Sequence, residues 1–160
     1  MNFFAKLLGR GEPVLGPAQT RDAASLAVIH RDSFNRGWGE QEFDQLLTDR
    51  NVIADRAASG RKVVGFIVSR RAADEAEILS VATARNWRGR GLGRRLLDLH
   101  LRRLAGLGLR AVFLEVEETN TPARKLYARA GFREVGRRPG YYAQGRDKPA
   151  AALVLRRDLV

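Results

Sequence analysis

Two groups of residues in this 160-residue chain have types and spacing suited to chemistry. The first is Arg88-Gly89-Arg90-Gly91-Leu92-Gly93-Arg94, a glycine run interleaved with arginines. Glycines let a backbone approach a phosphate with no Cβ in the way. Backbone N–H groups that open a helix bind an anion, helped by the positive end of the helix dipole. The second is Glu115, a carboxylate inside the apolar run Val112-Phe113-Leu114-Glu115-Val116. Apolar surroundings desolvate a carboxylate and raise its pKa toward neutrality, which suits a general base. The competing reading is a strand-end glutamate paired with one of the many arginines.

These residues need elements to hold them. Ala76 to Thr83 reads as a buried strand leading into the glycine run, and Leu92 to Leu107 reads as a helix leaving it. Leu92, Leu96 and Leu99 share one helical face, with Leu97, Leu101 and Leu104 beside it. The strand 112–116 follows and carries Glu115. Thr121-Pro122 then starts a helix, a capping residue followed by proline at the first helical position. That helix puts Ala123, Leu126, Tyr127 and Ala130 on one face and closes at Gly131.

Upstream, Val14-Leu15 forms a short strand between Pro13 and Pro17. Thr20 is expected to cap a helix running to about Phe34, with Asp22 favourable in its first turn. Arg36-Gly37-Trp38-Gly39 is a loop, and Glu40 to Leu47 a second helix. Strands at 51–55 and 63–69 are joined by a turn at Ser59-Gly60. Two last strands lie near 132–137 and 151–156. The order βααβββαβαββ predicts a mixed α/β sheet of about seven strands flanked by about four helices. The unit across 76–116 is expected to be a parallel crossover. Length predicts a single domain over 1–160, with residues 1–12 as an arm that packs or frays.

Composition narrows the function. The chain has no cysteine, which excludes a disulfide scaffold and a thiolate zinc site and fits a reducing, cytoplasmic setting. His30 and His100 lack metal-ligand spacing. No apolar run reaches the roughly 20 residues of a membrane span, and the start Met1 to Leu8 lacks the basic region of a signal peptide. The net charge of +11 favours anionic partners. Residues 84–110 hold eight arginines against one aspartate, while 111–122 hold three glutamates and no base. Such a split suits two ligands of opposite charge side by side.

The glycine run is not a P-loop, because no Lys-Ser or Lys-Thr follows it. It is not a dinucleotide fingerprint either, because the third glycine position is Arg94 and three strands precede the unit. What remains is R-x-x-G-x-G, from Arg88 to Gly93, which resembles the acetyl-CoA pyrophosphate loop of the GNAT N-acetyltransferases. The resemblance runs from about residue 14 to 158 and is closest to the ribosomal-protein-alanine N-acetyltransferases. Ala76 to Ala82, Leu114-Glu115-Val116, Asn120, Leu126-Tyr127 and Gly131-Phe132 recur there in this order.

The resemblance implies a GNAT fold with a partly splayed sheet and acetyl-CoA as the acetyl donor. It implies Glu115 as proton acceptor and Tyr127 as proton donor to the departing thiolate. It further implies that Val81, Ala82 and Thr83 offer backbone groups to the pantetheine arm, and that Asn120 hydrogen-bonds CoA. Arg88, Gly89, Arg90, Gly91, Leu92, Gly93 and Arg94 are expected to cradle the pyrophosphate. Trp38, Glu117, Tyr141 and Tyr142 are expected along the acceptor groove, with Glu117 and Glu118 attracting a basic peptide. The implied acceptor is the N-terminal alanine of a small-subunit ribosomal protein, and a monomer suffices. Two departures concern the acceptor side: Glu117 stands where relatives often carry arginine, and Asp147-Lys148-Pro149-Ala150 stands where they carry an acidic-Asp-Ala run. A GNAT enzyme for lysine or a small amine, and a non-catalytic module binding RNA or CoA, are the alternatives.

Overall fold

The computed structural model describes residues 11–140 and 150–160. Seven strands form one sheet: β1 (Val14–Pro17), β2 (Val52–Ser59), β3 (Lys62–Ala72), β4 (Glu75–Thr83), β5 (Ala111–Glu117), β6 (Arg133–Arg138) and β7 (Ala152–Asp158). Four helices flank it: α1 (Ala23–Ser33), α2 (Glu40–Thr48), α3 (Leu92–Gly106) and α4 (Thr121–Arg129). The sheet order is β1-β2-β3-β4-β5-β7-β6. All neighbours pair antiparallel except β4 and β5, which are parallel and joined through α3 as the sequence predicts.

The sheet has a core on each side. One gathers Leu92, Leu96, Leu97, Leu101 and Leu104 of α3 with Tyr127, Phe132 and the inner residues of β4, β5 and β7. The other packs α1 and α2 on β2–β4 through Leu26, Ile29, Phe43, Phe66 and Val68. Burying each such side chain contributes roughly 1.5–3 kcal/mol. The buried stripe of α3 includes His100 and leaves Leu99 half-buried, so the expected Leu92-Leu96-Leu99 face is rotated by one residue.

His100 accounts for that rotation. Its Nδ1 lies 2.7 Å from Asp55 Oδ2 and its Nε2 lies 2.6 Å from Ser69 Oγ. Arg103 pairs with the other oxygen of Asp55. The types and order match a Ser–His–Asp hydrolase triad. Yet the His100 and Asp55 side chains are 0% and 1% exposed, so no substrate reaches them. The row instead ties α3 to β2 and β3, each polar group satisfying the next.

The start of α1 also differs from expectation. Thr20 does not cap it. The carboxylate of Asp22 accepts the Gln19 backbone N–H at 2.8 Å and pairs with Arg56 of β2 at 2.9 Å. That local bond tightens Thr20–Asp22 into a 3-10 turn, and α1 begins at Ala23. The second strand continues to Ser59, four residues past the expected end, because it pairs on both sides, with β1 and with β3.

Candidate active site

The parallel pair β4–β5 is registered over three positions, ending at Glu77 opposite Phe113. Beyond that the strands diverge. A bulge in β4 contributes to this: Val68 opposes Ser80 and Ser69 opposes Ile78, so Leu79 is an extra residue. A bulge bends its strand and increases the local twist. The β5-facing backbone groups of β4 from Ile78 onward therefore have no strand partner, and unpaired strand edges accept an added chain.

A cleft of about 550 Å³ opens between the diverging strands. Leu79, Ser80 and Val81 form one wall, Leu114 to Glu117 the other, and Asn120, Ala123 and Tyr127 the α4 side. The Ser80 hydroxyl is, among the described residues, the one buried side-chain polar atom without a hydrogen-bond partner. An orphan of this kind is satisfied when a polar ligand atom arrives.

The glycine run lies at the start of α3. Gly89 and Gly91 hold φ of +73° and +79°, the left-handed region that only glycine enters without strain. The first helical bond runs from Arg95 N–H to Gly91 O, which leaves the N–H groups of Leu92, Gly93 and Arg94 without helical acceptors. Arg90 lies over the Trp87 ring at 5.2 Å, and Arg94 pairs with Asp98 one turn on. Arginines at a helix N-terminus oppose the dipole, an unfavourable arrangement that an anion bound there would offset. Arg88 is placed differently. Its guanidinium donates to Thr83 O, Asp32 O and Ser33 Oγ, at 3.3, 3.4 and 3.0 Å, and so braces the C-terminal end of α1.

Asn120 caps α4, its Oδ1 accepting the Ala123 N–H at 3.2 Å, and its amide NH₂ is left for the cleft that it lines. Tyr127 is 9% exposed and meets Phe132 edge-on at 5.7 Å. Burial pushes its phenol up to about 12. Packing and a place at the cleft thus coincide in one residue.

Glu115 is not desolvated as its apolar run suggests. Its side chain is 38% exposed and pairs with Arg138 at 2.8 Å. The apolar neighbours Leu114 and Val116 point to the opposite face of β5, as strand alternation requires. What distinguishes Glu115 is that it is the one titratable side chain lining both of two clefts, which also share Ile78 and Leu79. Besides the first, it borders one of about 530 Å³ with Trp38, Leu46, Leu79, Glu42, Asp49, Glu77 and Arg70. One opening lies between the diverging strands and α4, the other is bordered by four carboxylates and one guanidinium.

Comparison with known proteins agrees with this geometry. The Acetyltransferase (GNAT) family matches residues 23–132. The chain belongs to the GNAT acetyltransferase family. It is 35% identical over 149 residues to an uncharacterised protein of Mycobacterium leprae, covering 90% of this chain and 39% of that one. It therefore spans well under half of that relative's length. It is 32% identical over 130 residues to the [ribosomal protein bS18]-alanine N-acetyltransferase of Salmonella typhimurium, covering 80% and 87%. The crystal structure of the ribosomal-protein-S18-alanine N-acetyltransferase from Escherichia coli superposes with a TM-score of 0.83 at 24% identity, covering 92% and 94%.

On this GNAT scaffold Trp38 borders the acid-lined cleft. Glu117 lines the other cleft, beside Asn120 and Tyr127, so the structure separates it from Trp38. Glu118 is taken up by Arg137 at 3.0 Å. Tyr141 and Tyr142 lie outside the described residues, as do residues 1–10 of the expected arm. Sequence reasoning missed the acidic wall. Glu42, Gln45 and Leu46 stand at i, i+3 and i+4 on α2, with Asp49 at its C-cap, a spacing that the sequence does reveal. Glu77 joins them from β4, and only the fold brings it there.

Proposed function

We propose that this GNAT chain transfers the acetyl group of acetyl-CoA to the α-amine of a protein or peptide N-terminus. The N-terminal alanine of a small-subunit ribosomal protein is the acceptor this reading favours. The observation that carries it is the position of Glu115, on the border of both clefts. A donor in one cleft and an amine in the other meet at this carboxylate. The acid wall and the 32% identity to a ribosomal protein bS18-alanine N-acetyltransferase support the acceptor class.

The donor substrate fits the residues present. The free N–H groups of Leu92, Gly93 and Arg94, with Arg90 and Arg94, suit the pyrophosphate. The unpaired edge of β4 suits the pantetheine amides, and Asn120 supplies an amide donor. Glu115, directly or through a water, takes a proton from the acceptor amine. The amine nitrogen bonds to the thioester carbon, and backbone N–H groups of Val81 to Thr83 bind the oxygen as it gains charge. The C–S bond breaks, and Tyr127 gives its proton to the sulfur.

An α-amine has an ordinary pKa of about 7.7–8.0 against about 10.4 for lysine, so a carboxylate base deprotonates it far more readily. Arg138 shows that a cationic nitrogen fits 2.8 Å from Glu115 Oε1. An incoming ammonium takes that place. All these residues come from one chain, so a monomer suffices, and the cysteine-free composition suits the cytoplasm.

The test is thiol release from acetyl-CoA with a lysine-containing peptide beginning Ala-Arg and with its α-acetylated copy. Release with the free peptide alone is expected. Equal release with both would move the acceptor to lysine, and acetyl-CoA binding without release on either would remove the catalytic reading.

A further inference from the structure

Trp38 reaches the acid-lined cleft from the loop between α1 and α2, where it packs on Phe43 and is bonded by one side chain of α1. The Trp38 backbone N–H donates to His30 Nδ1 at 2.9 Å. The imidazole also stacks on the Trp38 ring, with centroids 4.5 Å apart and planes inclined by 13°. His30 is 4% exposed, with the rings of Phe34, Phe43 and Phe66 around it. A bond accepted at Nδ1 fixes the tautomer: that nitrogen carries a lone pair, and the proton is on Nε2. Gly37 makes the approach feasible, since a Cβ there would lie 3.1 Å from Arg31 Cα. A Cβ there would require the loop or α1 to give by a few tenths of an ångström, which strains the Trp38 N–H bond to His30.

We propose that His30 is a positioning residue for the acceptor: its neutral imidazole clamps the loop and so sets Trp38 in the wall of the acceptor cleft. The role rests on the reading of that cleft as the acceptor site. The clamp holds only while Nδ1 is unprotonated, because an imidazolium would set an N–H against the Trp38 N–H. Burial lowers the His30 pKa below its ordinary 6.5, opposed by the charge of Glu42 from α2. On its own helix Arg31 and Asp32 are exposed, while α2 and β3 pack against it with phenylalanine rings. The imidazole is therefore neutral at pH 7, and the clamp opens as the pH falls below 6.5.

The experiment has two arms. In the first, Trp38 emission is titrated in a Trp87→Phe background without substrates, since Trp38 and Trp87 are the chain's two tryptophans. A change in Trp38 emission below pH 6.5 that disappears in His30→Gln is expected, because protonation of His30 releases the Trp38 N–H and alters the stack of its ring on the imidazole. A flat profile overturns the proposal. In the second, peptide and acetyl-CoA kinetics are measured for His30→Leu and His30→Gln. His30→Leu is expected to raise the peptide KM about three- to tenfold, the worth of one buried hydrogen bond, with kcat and the acetyl-CoA KM little changed. His30→Gln offers an untitratable acceptor to Trp38 N–H, so it restores the peptide KM and removes its rise at acid pH. An unchanged peptide KM in His30→Leu, or an equal change in both KM values, overturns the proposal. An intact emission transition in an enzyme that acetylates no peptide would sink the acceptor reading, and the role with it, while leaving the clamp itself in place.

Discussion

Arg138 Nη2 lies 2.8 Å from Glu115 Oε1, so the carboxylate shared by both clefts is capped by a guanidinium reaching across β7 from β6. A half-exposed pair of this kind contributes only about 0–1 kcal/mol. An acceptor ammonium can displace it. Arg138→Gln is expected to lower the peptide KM by up to about fivefold, given that magnitude. Glu115→Gln is expected to cut kcat about 10²- to 10⁴-fold, the usual range for loss of a general base. Acetyl-CoA affinity, read by calorimetry, stays unchanged in both. Full turnover in Glu115→Gln would remove it from the mechanism.

Burial holds the Tyr127 phenol up at about 12, against an ordinary 10.0. Under the proposed mechanism its phenol keeps its proton throughout the range in which acetylation would be assayed. The kcat profile is thus expected to show no alkaline fall from this group up to about pH 10, and Tyr127→Phe to lower kcat about 10²-fold at every pH. The same shift bears on stability. A folded pKa above the unfolded one stabilises fully below pH 10.0 and ceases to do so as the pH rises through about 12. Denaturant midpoints from pH 9 to 12 check it: wild type declines more steeply in that window than Tyr127→Phe.

The arginines at the start of α3 predict stabilisation by anions. Inorganic pyrophosphate or CoA at about 100 times its Kd is expected to add about 2.7 kcal/mol, or roughly 5–10 °C in Tm for a chain of this size. Gly91→Ala places a Cβ in the left-handed region at a cost of about 1–2 kcal/mol and distorts the N–H groups. Its Tm gain with pyrophosphate is expected to vanish. A gain equal to wild type would show that the phosphate binds elsewhere.

The acid wall predicts a preference. Glu42→Gln with Glu77→Gln is expected to raise the KM for a peptide beginning Ala-Arg several-fold at low ionic strength and to leave one beginning Ala-Ser unchanged. The difference shrinks in about 1 M salt, where the Debye length falls to about 3 Å. Parallel changes for both peptides would assign the carboxylates to packing.

The elements that carry local signals were legible in the chain. The glycine run, the helix α3 that follows it and the strand around Glu115 lie where spacing puts them, and the helix expected at Thr121-Pro122 begins there with Asn120, rather than Thr121, as its cap and Pro122 as its second residue. Local patterns settle these because each is decided within a turn or a strand. The rest depends on distant partners. Glu115 looks buried among its chain neighbours, yet alternation turns it outward and β6 brings it an arginine 23 positions later. Thr20 looks like a cap until Arg56, from another strand, fixes Asp22. The leucine face of α3 looks complete without His100, whose partners lie 31 and 45 positions away.

The row of Ser69, His100, Asp55 and Arg103 has a consequence for descent. Removing one member of a buried pair leaves a charge unmatched, at about 3–5 kcal/mol. A domain whose whole stability is about 5–15 kcal/mol rarely survives that step. Replacing the set together by apolar residues of similar volume is nearly neutral by comparison. Lineages carrying this domain should therefore keep all four side chains or exchange them as a block, and intermediate combinations should be rare among living sequences.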